Sequence, residues 1–168
     1  MARQLTADDA RQSLTAHVET KGVEIFATYG PKLDWDGLQR LLADRTQVRY
    51  PCEIVFDEAL LLSGEFAHPE PKGNTPEDGF TMAVHPLFIT QPDRVPALVL
   101  YQLVAVNYGT FASSDEAETF GAAALGITRD EYYALLCDCA DQLGNGPDAE
   151  PVGAQPSGCS GGTCNCGG

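Results

Sequence analysis

Three consecutive stretches decide the fold of this chain: GFTMAVHPLF at residues 79–88, VPALVLYQLVAVNYG at 95–109 and SSDEAETFGAAALG at 113–126. The first alternates well enough to predict a strand. The second is apolar on nearly every side from Ala97 to Val106, which predicts a helix that is buried all round. The third predicts an alanine-rich helix with a polar start. Ten apolar residues are too few to cross a bilayer, which takes about 20. The three stretches therefore predict the centre of a protein core.

Helix start and stop signals lie on both sides of these stretches. Thr6 begins a helix that reaches Gly30-Pro31, although Gly22 inside it allows a break there. Asp34 caps a short second helix, and Thr128 begins the last one with a capping box. Asp93 is the expected N-cap of the central helix.

The middle of the chain has strand character. The segments CEIVFD at residues 52–57 and ALLLSGEFA at 59–67 are rich in Ile, Val, Phe and Leu, which predicts two strands before the one at 80–88. The proline-rich segment 68–79 predicts a loop. We expect a helix-rich α+β domain over residues 1–143, in which a small antiparallel sheet and terminal helices surround a buried central helix.

The charge of the chain excludes some partners. Twenty-four acidic and ten basic residues give a formal net charge of −14 and a pI near 4.3. Such a surface repels nucleic acid and anionic lipid, so we expect neither nucleic acid nor a membrane as partner. The first residues, MARQLTADDARQ, contain no apolar secretory segment, which favours a cytoplasmic location. In a reducing compartment the six cysteines are expected to be thiols or metal ligands rather than disulfides.

The strongest chemical pattern lies in the Gly/Pro-rich tail, residues 144–168, which we predict to be disordered by itself. Cys159, Cys164 and Cys166 follow the spacing C-x4-C-x-C among small residues. Thiolates bind Zn(II) and Cu(I) strongly, and glycine lets a short chain wrap around a metal ion. Three sulfurs suit trigonal Cu(I) and leave zinc or an iron–sulfur cluster one ligand short. The fourth ligand is then Cys137, Cys52, a histidine or a residue of a partner protein.

Helix geometry separates the two cysteines of the last helix. Residues two apart on a helix point about 200° away from each other, so Cys137 and Cys139 cannot chelate one ion together. Cys139 falls on the apolar stripe and is predicted to be core. Cys137 lies on the other side and is free to meet the tail, which begins a few residues later.

Two other readings of the tail remain open. Ser160, Thr163 and the cysteines are residues from which thioether or azoline rings are made, so residues 1–143 would be the leader of a modified peptide. Alternatively, the tail is incidental and the domain is a binding module. The expected partner is a protein that receives the metal or modifies the tail.

The segments LLLSGEFA, GFTMAVHPLF, VLYQLVAVNYG and EAETFGAAALG follow one another between residues 50 and 126. Their order resembles that of the small single-domain zincin metallopeptidases that cut phage-type repressors. In that family, strands lead into a helix bearing HExxH, and a helix with an acidic residue and a segment like E-A-N-x-F-A-A follows.

The resemblance implies a zincin-like scaffold that has lost its zinc site. Tyr101, Gln102 and Ala105 occupy the positions that the family fills with His, Glu and His. None of them replaces an imidazole ligand or the general base. Glu116 either echoes the acidic ligand of the family or closes the helix cap that begins at Ser113.

No complete catalytic set is recognisable in the sequence. A Cys/His or His/carboxylate site can be imagined from His85 or His68 with Cys52 and the pair Asp57-Glu58, but the spacing does not require one. We therefore expect a non-enzymatic cytoplasmic protein with a soft-metal-binding tail. The alternatives are a modified-peptide precursor and a catalytically inactive zincin-like binding module.

Overall fold

A computed structural model describes residues 6–144 as an α+β fold, which confirms the predicted fold class. The helices in this range are α1 (Ala7–Tyr29), α2 (Trp35–Ala43), α3 (Val95–Tyr108), α4 (Ser114–Leu125) and α5 (Arg129–Gly144). The strands are β1 (Cys52–Phe56), β2 (Ala67–Pro71) and β3 (Phe80–Val84).

Most helix ends lie where the capping signals predicted them. Thr6 caps α1 through its hydroxyl, which accepts a hydrogen bond from the Asp9 N–H, while the Asp9 carboxylate accepts one from the Thr6 N–H. Asp34 caps α2 in the same way by accepting from the Gly37 N–H. The start of α3 differs by one residue, since its N-cap is Arg94 rather than Asp93.

Helix α1 runs unbroken through Gly22, where the sequence allowed a break. Gly22 is buried against α4, and a Cβ atom there would lie 2.6 Å from the Ala123 Cβ and 2.7 Å from the Phe120 carbonyl oxygen. Gly22 therefore allows the backbones of α1 and α4 to approach closely, and it does not end the helix.

The sheet is mixed, which corrects the expectation of an antiparallel sheet. Its strand order is β1-β3-β2, with β3 in the middle. Strand β1 pairs parallel with β3, with Cys52 opposite Phe80 and Phe56 opposite Val84. Strand β2 pairs antiparallel with β3 on its other side. The chain reverses direction between β1 and β2 and again between β2 and β3, so β3 runs in the same direction as β1.

The second predicted strand lies in a different place. Residues 59–67 were expected to form it, but Asp57 caps a 3₁₀ turn over Glu58–Leu60 and the strand begins only at Ala67. It then continues through Pro69 and Pro71, in the segment predicted as loop. An edge strand tolerates proline because one row of its N–H groups has no partner strand.

Helix α3 is the centre of the core, as predicted, but it is not buried on every side, because Ala105 is exposed and Tyr101 and Gln102 are half-buried. Leu98, Leu100 and Leu103 are fully buried, and Met82 and Val84 of β3 lie in the same cluster. Tyr132 of α5 is also fully buried, and its hydroxyl donates a 2.6 Å hydrogen bond to the Ala97 carbonyl. Over residues 6–144, no helix combines the length and the apolar character that crossing a membrane requires.

Candidate functional site

Of the three cysteines in residues 6–144, Cys139 belongs to the core and Cys52 packs against the core while half-buried. Cys139 is 0% exposed, and its sulfur lies 3.5 Å from Arg94 Nη1, which also forms an ion pair with Asp138. Burial raises the pKa of the Cys139 thiol, while the Arg94 guanidinium lowers it in part. Burial likewise raises the pKa of the Cys52 thiol, to about 11. Both thiols are therefore held protonated at neutral pH, which disfavours metal ligation.

Cys137 lies on the other side of α5, as helix geometry predicted. Its side chain is half-buried, and it forms a hydrogen bond with Tyr133, one helical turn earlier. This contact raises the pKa of the Tyr133 hydroxyl. Cys52 is half-buried as well, but Cys137 lies in the last described helix, seven residues before its end, and so is the described thiol nearest in sequence to the tail.

The tail cysteines Cys159, Cys164 and Cys166 lie outside the described residues. Between residues 6 and 144, no group of three or more His, Cys, Asp or Glu side chains has the arrangement of a metal site. Helix α5 ends at Gly144, seven residues or about 10 Å after Cys137. The fifteen-residue step from Gly144 to Cys159 reaches at most about 50 Å when extended. The chain is therefore long enough to bring Cys159 back to Cys137.

The three positions that the zincin resemblance singled out share one small cavity. Tyr101, Gln102 and Ala105 line a space of about 150 Å³ together with Ser113 and Ser114 at the start of α4. These five side chains end in three hydroxyls, one amide and one methyl group. They supply no imidazole or thiolate, so this cavity does not fit a catalytic zinc ion.

Glu116 acts as a helix-capping residue. It is 1% exposed, and its carboxylate accepts hydrogen bonds from the Ser113 N–H at 2.8 Å, from the Ser113 hydroxyl and from the Thr15 hydroxyl at 3.1 Å. Burial raises the pKa of Glu116, but the bonds from Ser113 and Thr15 outweigh it and the net pKa is lowered. The carboxylate therefore ties the start of α4 to α1.

The imagined Cys/His site of His85 with Cys52 is not assembled, although His85 does lie beside the carboxylate of Glu58. Cys52 lies opposite Phe80, at the far end of the sheet from Val84, which precedes His85. Four residues of strand separate the two ends by about 13 Å. His85 instead accepts a 3.1 Å hydrogen bond at Nδ1 from the Leu87 N–H, and its Nε2 lies 3.8 Å from Glu58 Oε1. His85 therefore caps the turn that follows β3.

A larger groove was missed by sequence reasoning. It has a volume of about 630 Å³ and lies between α1, the C-terminal end of α3 and the N-terminal end of β3. Its apolar lining includes Leu14, Phe80 and Phe111, and Phe111 is 83% exposed. The available signal was an aromatic residue two positions after the helix-ending Gly109. The groove itself depends on segments that are far apart in the sequence.

Comparisons with family models, with curated proteins and with solved structures give no match to this chain. The zincin-like resemblance therefore stays a prediction.

Proposed function

We propose that this chain is a non-enzymatic protein that binds a soft metal ion through Cys159, Cys164 and Cys166, with Cys137 as the fourth ligand. The observation that carries the proposal is the placement of Cys137 on the outer side of α5, about 10 Å before the chain enters the cysteine-bearing tail. Cys52 and Cys139 are held protonated by burial and are unsuited to the role.

The ligand set determines which ions are candidates. Four thiolates suit tetrahedral zinc or an iron–sulfur cluster, whereas the three tail thiolates alone suit trigonal Cu(I). Binding requires the thiolate forms, so protons are released and affinity falls as the pH falls. A partner protein that takes up the ion by thiolate exchange is the expected acceptor.

The role of Cys137 is tested by replacing it with serine and titrating the protein with zinc against a competing chelator. Four ligands share a structural-zinc binding free energy of about 10–16 kcal/mol, so losing one thiolate is expected to weaken zinc affinity by about 100-fold. Binding of Cu(I) is expected to change much less, because the tail supplies three sulfurs.

The matched control is Cys139→Ala, which removes a thiol from the opposite side of the same helix. This variant is expected to be less stable, because Cys139 is core, but to keep the zinc affinity of the unaltered protein. Equal zinc affinities for Cys137→Ser and the unaltered protein would contradict the assignment of Cys137. Failure of the unaltered protein to bind either ion would contradict the function itself.

A second candidate function is a binding module on a catalytically inactive zincin-like scaffold. The observation that favours it is the shared cavity of Tyr101, Gln102 and Ala105 next to the start of α4. On this reading the tail is incidental and the domain carries the activity, so the three tail cysteines are dispensable.

A further inference from the structure

The groove at the C-terminal end of α3 has the size and lining of a small-molecule site. Its volume of about 630 Å³ lies within the range of about 300–1,000 Å³ that is typical of ligand pockets. Leu14, Phe80, Val106 and Phe111 supply an apolar surface. The groove is independent of the tail cysteines and of the small cavity at Tyr101.

One positively charged side chain, that of Arg49, lines the groove. The Arg49 side chain is exposed, and its guanidinium has no hydrogen-bond or ion-pair partner within residues 6–144. Within residues 6–144, Arg94 pairs with Asp138 and Arg129 with Asp115 and Glu118. Arg11 and Arg40 have no such pair in that range either, but they do not line the groove. In a chain with a net charge of −14, an arginine left without a carboxylate in an apolar groove is available to an anionic group from outside.

The backbone that carries Arg49 is held in place. The Asn107 side chain is buried, accepts a 2.9 Å hydrogen bond from the Arg49 N–H and donates a 3.0 Å bond to the Gln47 carbonyl. Arg45 Nη1 donates to the carbonyls of Val48 and Tyr50 at 2.9 Å. The segment before β1 is thus fixed against α3, so the position of Arg49 beside the groove is preorganised.

Two tyrosines complete the polar side of the groove. Tyr50 and Tyr108 line it, and neither hydroxyl has a hydrogen-bond partner among the described residues. The ring of Tyr108 is held edge-on by His17, at 5.6 Å between centroids, and Tyr50 packs on Phe80 at 6.2 Å. The lining therefore combines an apolar floor with a cation and two available hydroxyl donors.

We propose that this groove binds an amphipathic monocarboxylate of the fatty-acid class. The carboxylate pairs with the Arg49 guanidinium, and the apolar chain covers Phe111 and lies along Leu14 and Val106. The planar guanidinium pairs with a carboxylate through two parallel N–H···O bonds, which are among the strong charge-assisted hydrogen bonds of proteins. Covering Phe111 removes a large apolar side chain from water.

Decanoate, kept below its micellar concentration, is the probe. It is titrated into the ¹⁵N-labelled full chain, with 1-decanol as the neutral partner of the same chain length. We expect saturable one-to-one binding of decanoate, with amide shifts concentrated at residues 105–111 and 49–50. Arg49→Gln is expected to weaken decanoate binding by about tenfold and to leave decanol binding unchanged.

Arg40→Gln is the matched control, because Arg40 is an exposed arginine of α2 that does not line the groove. It is expected to keep the decanoate affinity of the unaltered protein. Phe111→Ser is expected to weaken decanoate and decanol alike, and its high exposure makes loss of the fold a minor concern.

Four results would overturn the proposal. One is an equal effect of Arg49→Gln on decanoate and decanol, and another is non-saturable decanoate binding. A third is binding of a peptide with an apolar C-terminal residue where decanoate fails. The fourth is a groove that is already covered when no ligand is present. The cover would be either Leu5, detected in contact with Phe111, or a second copy of the chain in a dimer that Phe111→Ser dissociates.

Discussion

Replacing Cys159, Cys164 and Cys166 together with serine is expected to abolish soft-metal binding, from one ion per chain to none. A serine hydroxyl is a hard, protonated oxygen at neutral pH and does not substitute for thiolate toward Zn(II) or Cu(I). Cys137 alone supplies one sulfur, which is too few for either ion. The measurement is metal content after equilibration against a chelator, followed by titration of the metal-free protein.

The stability of the metal-free domain is expected to be unchanged by this triple substitution. The core of residues 6–144 is built from α3, β3 and the helices around them, without the tail cysteines. The free energy of unfolding of the metal-free protein should therefore change by less than about 0.5 kcal/mol. Added metal should stabilise the unaltered protein against unfolding and should not stabilise the triple-serine variant.

The matched control replaces Ser157, Ser160 and Thr163 with alanine in the same segment. This control removes three hydroxyls and keeps three thiols, so it is expected to bind metal as the unaltered protein does. An unchanged metal stoichiometry in the triple-serine variant would end the tail-site proposal.

Gly22→Leu is expected to destabilise the domain by about 3 kcal/mol. Gly22 lies inside α1 where a Cβ atom would already come within 2.6 Å of Ala123 and 2.7 Å of the Phe120 carbonyl. The backbone oxygen cannot move without moving α4, and overpacking of this kind typically costs about 1–3 kcal/mol or more. Leucine is a better helix former than glycine by about 1 kcal/mol, which offsets only part of the loss.

Val23→Leu is the control for this prediction. Val23 is the next residue of α1 and is 55% exposed, so leucine there keeps the helix propensity and lacks the clash. Its effect should lie within about 0.5 kcal/mol. Chemical denaturation of both variants measures the difference. Equal stability of Gly22→Leu and the unaltered protein would contradict the close packing of α1 on α4.

Local signals predicted most of the helices correctly, because capping is a matter of three or four neighbouring residues. Thr6 with Asp9, Asp34 with Gly37, and Thr128 with Glu131 all make the expected bonds. The opposite placement of Cys137 and Cys139 was also predictable, since helix periodicity alone determines it.

Non-local features were not predictable in the same way. The parallel pairing of β1 with β3 depends on which strand takes the centre of the sheet. The prolines confine β2 to an edge, and β3 lies in the centre. Gly22 looked like a helix breaker because the partner that needs it, α4, lies about 100 residues further along the chain. The groove at Arg49 joins four segments that only the tertiary fold brings together.

The central claim is tested most directly by intact mass spectrometry of the protein purified from its native host, once under native conditions and once denatured with thiol alkylation. The metal-binding proposal predicts the added mass of one or more metal ions in the native spectrum and free, alkylated thiols in the denatured one. A denatured mass that is short by water, or a missing tail, would instead identify a peptide precursor. The plain sequence mass in both spectra would contradict metal binding and leave the domain itself as the functional part.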